Sequence, residues 1–515
     1  MLSQSETEGP APCPAPFNLA AHVLARGAQM PDKIALAVLG LSGAERWSYA
    51  RLIGAVRGTG AGLLKAGLKP RDRVLIRLGN TVDFPIAYLG AISVGLLPVP
   101  TSSQLTEPEV SAIIDKLAPA AILLSDGIAC PATSTPVIDE ATLRAMHALS
   151  PAPWHMGDPE RPAYIVFTSG TAGQPRAVVH AHRALLARQM MFQGWYGLRE
   201  DDRLLHAGAF NWTYTLGTGL MDPWTIGATA LIPAQGVAPD QLPLLLKRHD
   251  ATLFAAVPGI YRRILMQPLP PLPRLRHGLT AGEKLPENIR RRWQAATGTA
   301  LHEAFGMSEC STFISSSPEC PAAPGALGRA QPGRRIALLG EDGQPVPRGM
   351  EGTIAVHRSD PGLMLEYLDA PQATAARYQG EWFLTGDQAH MREDWQIIYH
   401  GRADDMMNAG GYRVSPIEVE NALLTYPGLT ACAVTDVEVK PDVRVIMAFY
   451  TAPTPLPEAD LAAHMVRQLA RYKCPRAFHH VAALPMSANN KIMRRALAPP
   501  DPARDSARED IHGKA

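Results

Sequence analysis

At 515 residues the chain is too long for one ordinary domain and has room for roughly two to four, each with a buried core. Forty-nine basic against 48 acidic residues leave a formal charge of +1, which argues against a general affinity for nucleic acid or anionic lipid. Cys13, Cys130, Cys310, Cys320, Cys432 and Cys474 show no C-x-x-C spacing, so neither a zinc motif nor a dense disulfide framework is expected.

Residues 1–16, rich in Ser, Glu and Pro, read as a disordered tail that lacks the basic and apolar regions of a signal peptide. No uncharged apolar run reaches the ~18–20 residues of a membrane helix, and the expectation is a cytoplasmic enzyme with no membrane span. Along the chain, 74–78 reads as a strand, 82–94 as a helix, 107–117 as a helix and 120–125 as a strand. The strand 164–168 runs into a Gly-rich loop, and further short strands fall at 229–232, 253–257 and 275–280 with helical patterns between them. This alternation predicts an α/β fold: a large N-terminal domain, 17–402, of parallel sheets covered by helices. From about 333 the texture changes to short strands (335–339, 352–357, 382–385, 396–399) and turns, a β-rich subdomain over 333–402. Residues 403–405 separate it from a small α+β C-terminal domain, 406–515, with a loose tail from about 499. There Ser415 is the expected N-cap of a helix, Pro416 its first residue and Glu418 the capping-box partner. Strands at 431–435 and 444–450 and a helix at 458–469 follow.

The residues with the clearest chemistry are Thr168-Ser169-Gly170-Thr171-Ala172-Gly173-Gln174-Pro175-Arg176. Hydroxyls and glycine amides at this density suit phosphate oxygens, and Arg176 adds a cationic fork. No Gly-Lys-Ser/Thr follows, so this is not a Walker A loop. The loop resembles the phosphate-binding loop of the acyl-CoA synthetase, adenylation-domain and luciferase superfamily, usually S-G-T-T-G-x-P-K-G. Ala172, Arg176 and Ala177 stand where that pattern has Thr, Lys and Gly.

Further stretches resemble the same superfamily in the same order. Ala304-Phe305-Gly306-Met307-Ser308-Glu309 is similar to its Y-G-x-T-E element. The resemblance implies that Phe305 stacks near adenine, Ser308 touches phosphate and Glu309 binds Mg²⁺, for which a carboxylate is a suitable hard ligand. Ala281-Gly282-Glu283 is similar to the segment lining the purine, and Thr385-Gly386-Asp387 to the element whose Asp387 binds the ribose hydroxyls. Gly401-Arg402-Ala403-Asp404-Asp405 is similar to the hinge motif; it implies that Arg402 touches ribose or phosphate and that the small domain turns about Asp404. Gly410 and Gly411 resemble the glycines beside the pantetheine tunnel. Pro485 to Arg494 resembles the closing P-x-x-x-x-G-K-x-x-R motif, with Lys491 on the catalytic lysine and Asn490 on the glycine. The resemblance covers about 17–500. The stretch Ser415 to Glu420 looks like benzoate-type and medium-chain acyl-CoA ligases.

The resemblance implies ATP, Mg²⁺ and coenzyme A as co-substrates of a small carboxylic acid. Lys491 would face the α-phosphate while the carboxylate attacks, giving acyl-AMP; the small domain would then rotate and the CoA thiol would displace AMP. By the same resemblance Trp212 falls where the family places an aromatic gate beside the acyl pocket, and Gly306 where acetate-specific members carry Trp, so the acid is expected to exceed two carbons, aromatic or medium-chain. His180, His182, His206 and His302 show no metal spacing and read as structural. Two alternatives stay open: an adenylating enzyme that loads the phosphopantetheine of a carrier protein, and a non-catalytic nucleotide- or acyl-binding protein.

Overall fold

The structure, a computed structural model, describes residues 1–5, 9, 11–168, 176–403, 405–409, 412–440, 443–486 and 492–497. The largest sheet has nine strands. Six of them run parallel, in the order Ala300–Met307, His277–Ala281, Leu253–Ala255, Arg203–His206, Thr229–Pro233, Ile34–Leu39. These strands are almost wholly buried, as expected when helices cover both faces of a parallel sheet. A second parallel sheet of four strands places Arg73–Arg77 between Leu97–Pro100 and Ala121–Leu124. The helix Glu107–Leu117 has the bounds read from the sequence; Thr106 and Glu109 close a capping box at its start, which satisfies two otherwise orphaned amides.

The predicted strand before the phosphate loop is Pro162–Thr168, and its continuation beyond the loop is an antiparallel strand, Arg176–Ala181. Glu366–Tyr367 adds a short third strand to that hairpin. The β-rich part is a five-stranded antiparallel sheet built on Trp382–Met391, which pairs with Glu351–His357 and with Ile397–Arg402.

The first residues depart from the expected disordered tail. Leu2 and Gln4 form bridges to Pro347 and Ala337, the Ser3 amide donates to the Val346 carbonyl at 2.8 Å, and Ser3 is fully buried. The strand Ile336–Leu339 leaves backbone groups unpaired on one edge, and the N-terminal residues satisfy them.

The small C-terminal part has its own core, with Val419, Leu423, Val434, Ile446, Leu461 and Met465 buried together. Ser415 caps the helix Pro416–Leu423 as expected, accepting from the Glu418 amide at 3.2 Å. The expected capping box is not formed by Glu418: its carboxylate turns to Lys473 Nζ at 2.6 Å. The Ser415 hydroxyl instead donates to the His400 carbonyl, tying this helix to the strand Ile397–Arg402. The expected tail from 499 lies outside the described residues.

Candidate active site

The parallel strands of the large sheet end at His206, Ala255, Ala281 and Met307, and the candidate residues Trp212, Gly282, Phe305 and Ser308 gather just beyond or at those carboxyl ends. That is where open α/β sheets bind ligands.

Of the residues expected at the phosphates, Thr168 and Arg176 face each other in register at the mouth of the hairpin. Ser169, Gly170, Thr171 and Gly173 lie outside the described residues. The Arg176 guanidinium sits 5.0 Å from the ring centre of Tyr367, a cation–π distance. The Tyr367 hydroxyl donates to Glu309 Oε1 at 2.7 Å. Burial and the Glu309 carboxylate push the phenol up to about 12, so it remains a donor. Glu309 is 8% exposed, and its carbonyl accepts from the Met364 amide at 2.7 Å. His180 Nε2 donates to the Ser308 carbonyl at 2.7 Å, which leaves Nδ1 as the acceptor nitrogen of a ring that burial holds neutral, lowered to about 4.

Among the residues expected at the purine and ribose, Phe305 lies 5.2 Å from Tyr399 and edge-on to Phe313 at 5.5 Å. The Tyr399 hydroxyl donates to Asp387 Oδ1 at 2.8 Å, and Asp387 and Arg402 are cross-strand partners with Nη1 and Oδ2 3.7 Å apart. Burial first, then the Asp387 carboxylate, keep the Tyr399 phenol protonated. Gly282 has φ +94, and a Cβ there would come within 2.8 Å of the Trp212 indole, so a close approach as well as a left-handed backbone calls for glycine. Glu283 faces Arg262, whose pKa burial lowers and the carboxylate raises.

Trp212, the expected acyl-pocket residue, is half-buried and stands edge-on to Tyr214, 5.5 Å between ring centres. Phe192–Tyr196 and Thr215–Met221 are both π-helical, a geometry that is rare and frequent at functional sites. They are pinned together by a buried ion pair: Arg188 Nε and Nη2 reach Asp222 at 2.8 and 2.7 Å, and Tyr196 OH donates to the same carboxylate at 2.8 Å. At Gly306 the fold adds a reason of its own for glycine. A Cβ at this position would overlap the Ser311 carbonyl and the Thr312 Cα, because the strand carries a bulge against Ser311–Ser315. The glycine therefore makes room for a neighbouring strand.

Asp404, Gly410, Gly411 and Lys491 lie outside the described residues. Ala409 and Tyr412 pair on either side of the two glycines, and Met486 and Ile492 pair on either side of Lys491. Arg494 bonds Glu420 through Nε at 3.0 Å and Nη2 at 2.7 Å, and is close enough to Tyr399 to act on its ionisation. The end of the closing motif thus stands beside Tyr399 and Asp387. Tyr367, Tyr399 and His180 were not among the site residues read from the sequence; Tyr367 acquires its contact through pairing of strands distant in the chain, Tyr399 through the register of a hairpin and His180 through packing beside Ser308, none of which a local pattern signals.

Superposed on the crystal structure of a benzoate CoA ligase from Burkholderia xenovorans LB400, the chain gives a TM-score of 0.83 at 27% identity, over 93% of this chain and 99% of that one. Residues 23–368 match the AMP-binding enzyme family and residues 418–491 its C-terminal domain. The chain belongs to the AMP-binding enzyme family. It is 32% identical to a benzoate–CoA ligase of Thauera aromatica over 84% of this chain and 86% of the relative. It is 30% identical to the mitochondrial acyl-coenzyme A synthetase ACSM5 of Mus musculus over 95% and 91%. Within the family it is an AMP-forming acyl-CoA ligase: ATP activates a carboxylic acid to the acyl-AMP, and the acyl group passes to coenzyme A. Among the described residues no helix is long and apolar enough to cross a membrane.

Proposed function

We propose that this enzyme ligates an aromatic or medium-chain acid to coenzyme A, with adenylation centred on the residues that surround Tyr367. The observation that carries the site is the convergence of the loop cation Arg176 and the carboxylate Glu309 on one phenol. Thr168, Ser169, Gly170, Thr171, Gly173, Arg176 and Ser308 take the phosphates. Gly282, Glu283 and Phe305 take the purine, and Asp387 and Arg402 the ribose. Lys491 neutralises the α-phosphate as the carboxylate attacks. Asp404 is the hinge, at the junction 403–405 between a large domain ending at 402 and a small one beginning at 406. Gly410 and Gly411 pass the thiol arm.

Glu309 fits a magnesium ligand. Tyr367 orients its carboxylate by one oxygen, and Mg²⁺ is ordinarily held by one or two carboxylates together with substrate phosphates. Bound there, the ion would neutralise phosphate charge. The acyl group lies against Trp212, Tyr214 and Phe192, an aromatic wall continuous with buried Met191, Leu279 and Ala304. That wall, and relatives named for benzoate and 3-hydroxybenzoate, favour a ring over a chain. All six cysteines are free thiols, which supports a cytoplasmic setting.

Purified enzyme with ATP, Mg²⁺ and acids from acetate to dodecanoate plus benzoates, with and without CoA, tests the reading. AMP and a thioester from one class of acid support it. Acyl-AMP that forms but never transfers to CoA would transfer the assignment to a carrier-protein acceptor, and nucleotide binding without pyrophosphate release would leave a binding protein. Lys491→Ala is expected to cripple adenylation and spare thiolation of supplied acyl-AMP; equal loss of both half-reactions removes the role given to Lys491.

A further inference from the structure

Between the β-hairpin, the helix Ala184–Met191 and the π-helical turn at Thr215–Met221 lies a small cavity whose free volume, about 20 Å³, is room for one water-sized group. Tyr88, Tyr164, His180, Arg188, Ser308 and Ser311 contribute its polar lining. It shares a wall with the acyl side of the site, since Thr213, next to Trp212, also lines it. We propose that this cavity is a subsite for a hydroxyl group carried by the acid substrate close to its carboxylate, a specificity pocket resting on the ligase reading given above.

Three observations carry the assignment. First, a polar atom there lacks a partner. Tyr88 and Tyr164, 1% and 9% exposed, both line the cavity, and among the described residues His180 Nδ1 is buried with no hydrogen bond. Buried polar groups are paired in the great majority of cases, so this acceptor nitrogen awaits a donor, and a hydroxyl both donates to it and can accept from a phenol beside it. Second, the cavity holds no uncommitted charge. Arg188 is spent on Asp222, at 2.7 and 2.8 Å, and its Nη1 on the Ser311 hydroxyl at 2.8 Å. A neutral substituent fits, and a second carboxylate does not. Third, position limits where on the acid the hydroxyl sits. Ser308 is the proposed phosphate contact, so a group reaching a cavity lined by Ser308 and Ser311 is within a few bonds of the reacting carboxylate. That corresponds to the ortho position of a benzoate or the second or third carbon of a chain.

The test measures kcat/KM for pyrophosphate release with benzoate and its 2-, 3- and 4-hydroxy forms, and with octanoate and its 2- and 3-hydroxy forms. The enzymes are the wild type, Tyr88→Phe and Tyr164→Phe, each with its thermal midpoint. A site built to bond a hydroxyl rejects the analogue lacking it, so the near-hydroxylated acid of one series is expected to exceed its parent by at least about 10-fold in the wild type. In either Phe variant that ratio is expected to fall towards one while the parent acid keeps its wild-type value. A wild-type ratio of one or less, or a ratio that survives both substitutions, overturns the subsite and makes the cavity a water site. Turnover of the parent acids, read in the same assay, tests the ligase reading separately. The wild-type ratio decides the matter even if a variant fails to fold.

Discussion

The Tyr367 hydroxyl donates a 2.7 Å hydrogen bond to Glu309 Oε1 while its ring lies 5.0 Å from the Arg176 guanidinium. One phenol therefore sets the attitude of both the loop-end cation and the carboxylate. A hydrogen bond to a charged group is worth about 1.5–3 kcal/mol when its partner is removed. Tyr367→Phe keeps the ring and the cation–π contact and removes only the hydroxyl. It is expected to slow acid-dependent ATP–pyrophosphate exchange roughly 10-fold or more, with a thermal midpoint lowered by no more than a few degrees. Exchange at the wild-type rate would mean that Glu309 needs no such orientation.

Arg176 stands where the resembling loops carry lysine, and its planar guanidinium accounts for the contact with Tyr367. A lysine ammonium is a compact, strongly hydrated charge that stacks less well on a ring. Arg176→Lys is accordingly expected to raise KM for ATP by a few-fold without changing the acid profile, and Arg176→Ala to raise it further. A lysine variant that binds ATP better than the wild type would show that the ring contact restrains the loop cation.

Much of this architecture is legible along the chain. The helix at 107–117, the strand before the phosphate loop and the cap at Ser415 follow from local pattern and capping chemistry, and all three are present. What depends on pairing between distant segments is not legible. Tyr367 reaches Glu309 only because Glu366–Tyr367 pairs with Arg176–Ala181, and Tyr399 reaches Asp387 only through the register of two β strands. The first residues look loose because their composition is polar, yet a sheet edge elsewhere supplies partners for their backbone. Gly306 shows the same limit for side chains: its motif position suggests an open pocket, and the close backbone of Ser311 and Thr312, which also calls for glycine, is visible only in the fold.

That bulge makes Gly306→Ala a test of packing. The added methyl has backbone on its far side, which cannot rotate away as a side chain could. Overpacking of this kind costs about 1–3 kcal/mol. The expected result is a thermal midpoint lowered by several degrees, with the ranking of acids unchanged. A stable variant with a shortened acid range would return this position to the acyl pocket.

Five buried histidines set the acid limb of stability. Burial lowers His180 and His277 to about 4 and His182, His206 and His302 to about 3, from an ordinary 6.5. Each is neutral in the fold and protonates more readily once unfolded. The stability they confer is whole above about pH 6.5 and is lost as pH falls from there towards 4, where the unfolded chain binds protons the fold does not. The slope is about 1.4 kcal/mol per pH unit for each such group. The urea midpoint is expected to drop steeply between pH 7 and pH 5; a flat profile over that range would mean the rings are hydrated in the fold.

Glu420 is the principal counter-ion of Arg494. It accepts from the Val434 amide at 2.9 Å and from Arg494 at 3.0 and 2.7 Å, and is 7% exposed. Asp405 stands 4.0 Å from Arg494, too far to replace it. Glu420→Gln keeps the shape and leaves the arginine without its charge partner, a change that costs about 3–5 kcal/mol for a fully buried pair and less here, where the Arg494 side chain is 18% exposed. Lys491 lies three residues before Arg494 in the chain. Two effects are therefore expected together: faster proteolysis of the C-terminal part, and a loss in adenylation larger than the loss in thiolation of supplied acyl-AMP. Intact proteolytic resistance with unequal half-reactions would assign Glu420 to the placement of Lys491 alone. Equal losses in both half-reactions would assign it to stability alone.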